Sequence, residues 1–114
     1  MGLAQDLKFF NALFHKKNLK MDIDIAPCEQ LDKRHEMDKS AYCHVDHRPN
    51  LLCCARAFSH QPQSRRRGII GHELGHLILL KDGNYDHSEH EADIAVKRVL
   101  GLTIRYDKSG LQRL

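Results

Sequence analysis

The sequence predicts an α+β domain in which one helix comes first, three strands follow and two helices come last. Two observations predict this order. Apolar residues recur at helical spacing at the amino terminus and again in the second half of the chain, and segments with the period of strands lie between them. Because the chain has 114 residues, we expect one domain over residues 1–114, with a small, mostly antiparallel sheet.

The first half of the chain begins with a helix and continues into a strand. Over residues 3–17, apolar side chains including Leu7 and Phe10 share one helical face. Residues 21–25 alternate apolar and acidic side chains, as a half-buried strand does. We expect Pro27 to end this strand, since proline cannot donate a ladder hydrogen bond.

The middle of the chain predicts a loop and two further strands. Residues 28–40 are polar and charged and are expected to form a loop. Residues 41–47 are a second strand candidate, and the turn residues 48–50 follow it. Residues 51–58 are nearly continuous in apolar side chains and predict the third strand.

Two helices complete the predicted domain. Residues 65–81 carry a dense apolar set, and the helix is expected to end near Gly83, where glycine takes the left-handed conformation cheaply. Residues 88–100 predict the last helix, which Gly101 ends in the same way.

Composition directs attention to metal chemistry within a water-soluble, cytoplasmic protein. The chain has nine histidines, a net charge of +3, no apolar run long enough for a membrane span and no signal-peptide pattern. Without a secretory signal, we interpret Cys28, Cys43, Cys53 and Cys54 as reduced thiols, mainly buried apolar side chains. The alternative is a second metal site formed by Cys43, Cys53 and nearby histidines.

The second predicted helix contains the pattern H-E-x-x-H. His72 and His76 are four residues apart, so they lie on one helical face and can share one Zn²⁺ ion. Glu73 can reach a water on that metal and act as the general base. Gly75 costs helix stability relative to alanine, which predicts that another element packs closely there.

A catalytic zinc needs a third protein ligand, which we expect in residues 86–93. His90 points away from the apolar face of the last predicted helix. Glu91 and Glu89 lie at opposite edges of that face, and the spacing does not choose between them. Glu91 also fits a capping box with Ser88.

Two segments together resemble a known family. Residues 72–77, HELGHL, and residues 89–95, EHEADIA, resemble the ImmA/IrrE-type zinc metallopeptidases, small gluzincin-like zincins of bacteria, mobile elements and phages. The resemblance covers roughly residues 41–100. It implies a minimal zincin-like domain, and it implies the ligands His72, His76 and Glu91, with Glu73 as the base.

The resemblance also implies the activity. We expect hydrolysis of peptide bonds in a protein or peptide substrate, such as a repressor or other regulatory protein of a mobile element or phage. Similarity to other zincins implies that the strand at residues 51–58 aligns the substrate as an added strand. Tyr85, Tyr106 and His87 are candidates to stabilise the oxyanion.

Two other functions compete with this interpretation. The first is a catalytically silent zinc-binding module that acts by binding a partner, which the intact Glu73 disfavours. The second is nucleic-acid binding through residues 65–67, three adjacent arginines, helped by Arg56 and by Lys33 and Arg34. Because a solvated turn explains the arginines more simply, the sequence disfavours a nucleic-acid partner, and no membrane partner is expected.

Overall fold

The structure is a computed structural model that describes residues 2–19 and 21–114. Its radius of gyration, 13.2 Å, matches the roughly 13 Å of a folded chain of this length. The predicted α+β class is confirmed. The elements are, in chain order, α1 (Gly2–Lys16), β1 (Asp24–Pro27), α2 (Glu29–Met37), β2 (Cys43–Val45), β3 (Leu51–Cys54), a 3-10 turn (Arg56–His60), α3 (Gln63–Lys81), α4 (Glu89–Leu100), β4 (Arg105–Tyr106) and β5 (Gln112–Arg113).

The three-stranded sheet is mixed rather than mostly antiparallel. Its order is β1-β3-β2, with β1 parallel and β2 antiparallel to β3. The prediction was wrong on the direction of β1. The chain passes through α2 and β2 between β1 and β3, and this crossover is long enough for a parallel return. As a result β3 is central and β2 lies at an edge.

The segment predicted as a loop contains the helix α2. Of its residues, only Leu31 is buried, so the apolar periodicity that predicts a helix is missing. The helix forms because its charged residues have good helix propensity. Glu29 and Asp32 in its first turn and basic residues in its last turn also complement the helix dipole.

The strand boundaries differ from the predicted ones. Strand β1 begins at Asp24, and Pro27 is its last residue, which an edge strand tolerates. Strand β3 ends at Cys54, and the 3-10 turn that follows places Phe58 in the core with no exposed surface. The carboxyl-terminal hairpin of β4 and β5 was not predicted, because each strand has only two residues.

The two faces of the sheet contact different parts of the molecule. Strand alternation turns Leu52 and Cys54 toward the main core, which α1 and α3 share, and turns Cys53 toward Leu31 of α2. The largest fully buried apolar side chains of the described residues are Phe10, Phe14, Leu52, Phe58, Ile70, Leu74 and Val96, and all but Val96 belong to the main core. Within the described residues, no helix is long and apolar enough to cross a membrane.

A buried ion network connects α1 to the start of α3. Asp6 has no exposed surface, and its two carboxylate oxygens accept hydrogen bonds from Arg66 Nε at 2.7 Å and Arg67 Nε at 3.0 Å. The guanidinium of Arg67 also stacks over the Phe9 ring at 4.3 Å. Arg65 pairs with Asp107 of the carboxyl-terminal hairpin. All three arginines are therefore used inside the fold.

We expect Asp6→Ala to lower the free energy of unfolding by about 3–5 kcal/mol, because it leaves two guanidinium groups without their buried partner. Asp22→Ala is the matched control: Asp22 pairs with His15, but its side chain is 75% exposed, so the cost should stay below about 1 kcal/mol. Urea denaturation of both variants measures the difference. Equal unfolding midpoints would contradict a stabilising role for the buried network.

Candidate metal centre

Helix α3 brings the two histidines of the H-E-x-x-H pattern to one face. His72 and His76 are one turn apart, and their side chains are 5% and 19% exposed. Between them, Gly75 lies against α4: a Cβ built there would stand 2.0 Å from the carbonyl oxygen of Ala92. This confirms the prediction that another element packs closely at Gly75, and it fixes α4 within reach of both imidazoles.

Three donor atoms converge between α3 and α4. Nε2 of His72 and Nε2 of His76 are 3.2 Å apart. One carboxylate oxygen of Glu89 lies 2.5 Å from the first nitrogen and 2.7 Å from the second. A carboxylate oxygen of Glu73 lies within 4.8 Å of the imidazole nitrogens. These four residues form the group that we call the histidine centre.

Glu91 does not join the histidine centre, contrary to what the resemblance implied. Its backbone N–H donates to Ser88 Oγ at 3.1 Å, and its carboxylate accepts from the Ser88 backbone N–H at 3.3 Å, which completes a capping box. Glu89, the other residue that the spacing left open, lies on the side of α4 that faces α3. The structure thus places Glu89, and not Glu91, beside the two histidines.

A carboxylate orients the imidazole of His72 from its other side. Asp93 lies four residues after Glu89 on the same face of α4, and its Oδ1 is 2.7 Å from His72 Nδ1. The hydroxyl of Tyr106 donates to Oδ2 of the same carboxylate. Because a carboxylate accepts, Asp93 keeps a proton on Nδ1 of His72, so Nε2, which faces Glu89 and His76, is the nitrogen that can release its proton and bind a metal.

A second histidine orients His76 in the same way. His87 Nδ1 lies 2.9 Å from the backbone oxygen of Asn84, which can only accept, so the neutral ring is protonated there. Its Nε2 then accepts from His76 Nδ1 at 2.7 Å. With Nδ1 of each ring engaged, both rings turn Nε2, the nitrogen that remains for a metal, toward the same point.

Burial and charge act on the pKa values of the centre in opposite directions. Burial lowers the pKa of His72, but Asp93, Glu73 and Glu89 raise it above its ordinary value. Burial lowers the pKa of His76. Burial raises the pKa of Glu89, but the bonds to His76 and His72 bring it below its usual range.

The pKa of Glu73 shifts the other way. Burial, helped by the charge of Glu89 and opposed by that of His72, raises the pKa of Glu73 to about 7. A carboxyl with this pKa exchanges a proton close to neutral pH, which is the range that general acid–base chemistry needs.

The donor set of the histidine centre fits a divalent metal, and zinc in particular. Zinc takes imidazole nitrogen and carboxylate oxygen at about 2.0–2.2 Å, so two imidazole nitrogens on one tetrahedral ion are about 3.3 Å apart. The 3.2 Å between the two Nε2 atoms agrees with that separation. Two imidazoles, each with an orienting partner on Nδ1, and one carboxylate are groups that such an ion accepts as ligands.

A cleft of about 340 Å³ lies beside the centre. Its walls come from β2, α2, α3 and the start of α4, with Cys43, His44, Glu73, His76 and Glu89 among the lining residues. Strand β2 lies at the edge of the sheet and borders this cleft, whereas β3 is paired on both sides. The expectation that residues 51–58 align a substrate is therefore wrong, since a central strand has no free edge to offer.

The three residues considered as oxyanion stabilisers do not share one environment. Tyr106 and His87, considered as oxyanion stabilisers, orient Asp93 and His76, and Tyr85 is 79% exposed. Their orienting roles and that of Asp93 were not foreseen. The spacing of four between Glu89 and Asp93 is the signal that could have revealed both carboxylates on one face.

The cysteines occupy both faces of the sheet. Cys53 and Cys54 are adjacent on β3 and point to opposite faces, as expected. Cys43 pairs with Cys54 and shares its face, so Cys43 and Cys53 do not meet. The predicted pair for a second metal site is therefore wrong, and the thiol that joins Cys53 and a histidine is Cys28.

Comparisons with known family models, curated proteins and solved structures find no match for this chain.

Proposed function

We propose that this protein is a zinc-dependent endopeptidase. The observation that carries the proposal is the convergence of His72, His76 and Glu89 on one point, with the buried carboxyl of Glu73 beside it at the wall of a cleft. Three ligands leave one coordination position free, which is the arrangement of catalytic zinc rather than structural zinc.

The proposed ligands are Nε2 of His72, Nε2 of His76 and a carboxylate oxygen of Glu89. When bound, zinc supplies a Lewis acid that polarises the scissile carbonyl and acidifies a water molecule. Asp93 and His87 hold the two imidazoles in the tautomers that zinc requires. Tyr106 in turn fixes the carboxylate of Asp93 through its hydroxyl.

Glu73 is the proposed general base. It takes a proton from the attacking water and later delivers it to the leaving amine. Its position supports this role, since a buried carboxyl is costly to ionise and a purely structural zinc site has no use for it. A catalytically silent zinc module would gain nothing from a buried carboxyl that is costly to ionise, so the position of Glu73 disfavours that alternative.

The substrate backbone is proposed to pair with β2. This strand has one edge paired with β3 and the other next to the cleft, so an extended peptide can continue the sheet there. Main-chain hydrogen bonds then hold the peptide in register with Glu73 and the histidine centre. This mode requires an extended, unstructured stretch of a protein substrate.

The residues of the two motifs also support a relationship to ImmA/IrrE-type peptidases as part of this proposal, with a regulatory protein of a mobile element or phage as the substrate class. Nucleic-acid binding has no comparable support. Arg66 and Arg67 are engaged by Asp6, and Arg65 by Asp107, so the arginine run is not a free basic surface.

Cleavage of a peptide library by the zinc-loaded protein tests the proposal. We expect endoproteolytic products that disappear with a chelator, return when zinc is added back and are absent for His76→Ala. Mass spectrometry of the products locates the cleaved bonds. The endopeptidase proposal fails if the folded, zinc-loaded wild type cleaves no peptide, or only peptides that His76→Ala also cleaves.

A further inference from the structure

A second cluster of metal-binding side chains lies on the face of the sheet opposite the main core. It consists of Cys28, His44 and Cys53, each of which has a ligand atom within 4.8 Å of the other two. We call this group the thiol cluster. It shares no residue with the histidine centre, and its donors come from three separate segments of the chain.

Strand register explains why these residues meet. His44 on β2 stands directly opposite Cys53 on β3, so both side chains project from the same face. Cys28 follows the last residue of β1, and its backbone N–H donates to the Cys54 carbonyl at 2.9 Å. In the parallel register Ala26 pairs with Cys53, and Cys28 lies two residues on, which returns it to that face.

The surroundings of the thiol cluster are partly apolar and contain one further oxygen donor. Cys53 is 4% exposed and packs with Leu31. The thiol of Cys53 donates to a carboxylate oxygen of Asp46 at 3.1 Å. Asp46 therefore brings an anionic oxygen next to one of the two sulfurs, and Arg48 Nε donates to the other oxygen of the same carboxylate at 2.7 Å.

We propose that Cys28, His44 and Cys53 bind a second zinc ion, with Asp46 as the fourth ligand. Two thiolates, an imidazole and a carboxylate are donors that zinc accepts in a closed tetrahedral site. Both thiols release their protons on binding. The inference does not rest on the proposed endopeptidase function, because it uses different residues.

A metal explains the cluster better than a disulfide between its two cysteines. A disulfide would use only the two sulfurs and would leave His44, which lies within 4.8 Å of both, and the carboxylate of Asp46 beside Cys53 without a role. A bound dication supplies the positive charge that stabilises both thiolates together.

The ion would tie β1, β2 and β3 together at the start of α2. His44 lies on the edge strand that borders the cleft, so the second ion fixes the wall along which an extended peptide could lie. Its effect is structural, since four protein ligands leave no open position.

Cobalt substitution tests the proposal, because cobalt bound to thiolate shows a sulfur-to-metal charge-transfer absorption that a site of imidazoles and a carboxylate lacks. Titration of the reduced protein with Co²⁺ should produce this band, and His72→Ala/His76→Ala should retain it. The band should vanish in Cys28→Ser/Cys53→Ser. Cys43→Ser is the matched control and should keep the band, because Cys43 neighbours His44 but points to the opposite face.

Zinc content provides the second readout. Wild type should hold two ions per chain, and each double variant should lose one. If Cys28→Ser/Cys53→Ser does not fold, the single variant His44→Ala should weaken zinc binding at the cluster at least 10-fold. Absence of the band in folded wild type, its persistence in the cysteine or His44 variant, or a Cys28–Cys53 disulfide in protein purified without reductant would overturn the proposal.

Discussion

Replacement of Glu89 by alanine is expected to remove one zinc ion per chain, whereas replacement of Glu91 should remove none. Glu89 supplies the oxygen that lies 2.5 and 2.7 Å from the two imidazole nitrogens. Without it the ion keeps two neutral ligands and loses the only negative charge in direct contact. Since loss of a mere orienting partner weakens metal binding by about 10–100-fold, we expect loss of this ligand to weaken it by more than about 100-fold.

A graded series sharpens this test. Asp93→Asn keeps the ligands but weakens the acceptor for His72 Nδ1, so zinc affinity should fall by about 10–100-fold, between wild type and Glu89→Ala. Competition with a chromophoric chelator measures all three affinities. Glu91→Ala should instead cost about 1 kcal/mol of stability, because it breaks the capping box of α4. Loss of zinc in Glu91→Ala with zinc retained in Glu89→Ala would refute the assignment.

The choice between Glu89 and Glu91 illustrates how far the sequence could go. The periodicity of residues 65–81 predicts α3, and the spacing of its histidines places both on one face, as the structure has them. The helical wheel of α4 puts the two glutamates at opposite edges of the buried face. Only the position of α4 against α3, which the contact at Gly75 fixes, decides which edge meets the histidines.

Elements held by few apolar contacts were the ones that the sequence did not predict. Helix α2 buries only Leu31, so its apolar periodicity is absent.

The order β1-β3-β2 depends on how the chain crosses between β1 and β3, and alternating side chains carry no information about which strand is central. The thiol cluster follows from that order, because Cys28 meets Cys53 only when β1 lies beside β3.

Glu73→Gln is expected to abolish peptide cleavage while the protein still binds zinc. Glutamine has nearly the same shape as glutamate but cannot accept a proton from water, so kcat should fall by about 10²–10⁴-fold. Zinc content should stay at the wild-type value, since the proposed ligands His72, His76 and Glu89 are untouched. Cleavage within 10-fold of wild type would contradict the role of Glu73 as the base.

The same substitution should stabilise the zinc-free protein, with a pH dependence whose sign is fixed. Burial raises the pKa of Glu73 to about 7 in the folded protein, above the ordinary 4.5. The folded state therefore favours the neutral carboxyl: its contribution to stability is complete below pH 4.5 and is lost as the pH rises through 7. Glutamine stays neutral, so Glu73→Gln should match wild type near pH 4 and exceed it at pH 8.

Urea denaturation of both zinc-free proteins measures this difference. At 1.36 kcal/mol per pKa unit the shift corresponds to roughly 3 kcal/mol, and because water reaches part of the Glu73 side chain we expect about 1–2 kcal/mol at pH 8. Zinc should shrink the gap, since a nearby dication favours the ionised carboxylate. A gap that does not change with pH would mean that Glu73 ionises as freely in the fold as in water. Burial of Glu73 would then not disfavour its ionised form beside the proposed metal site.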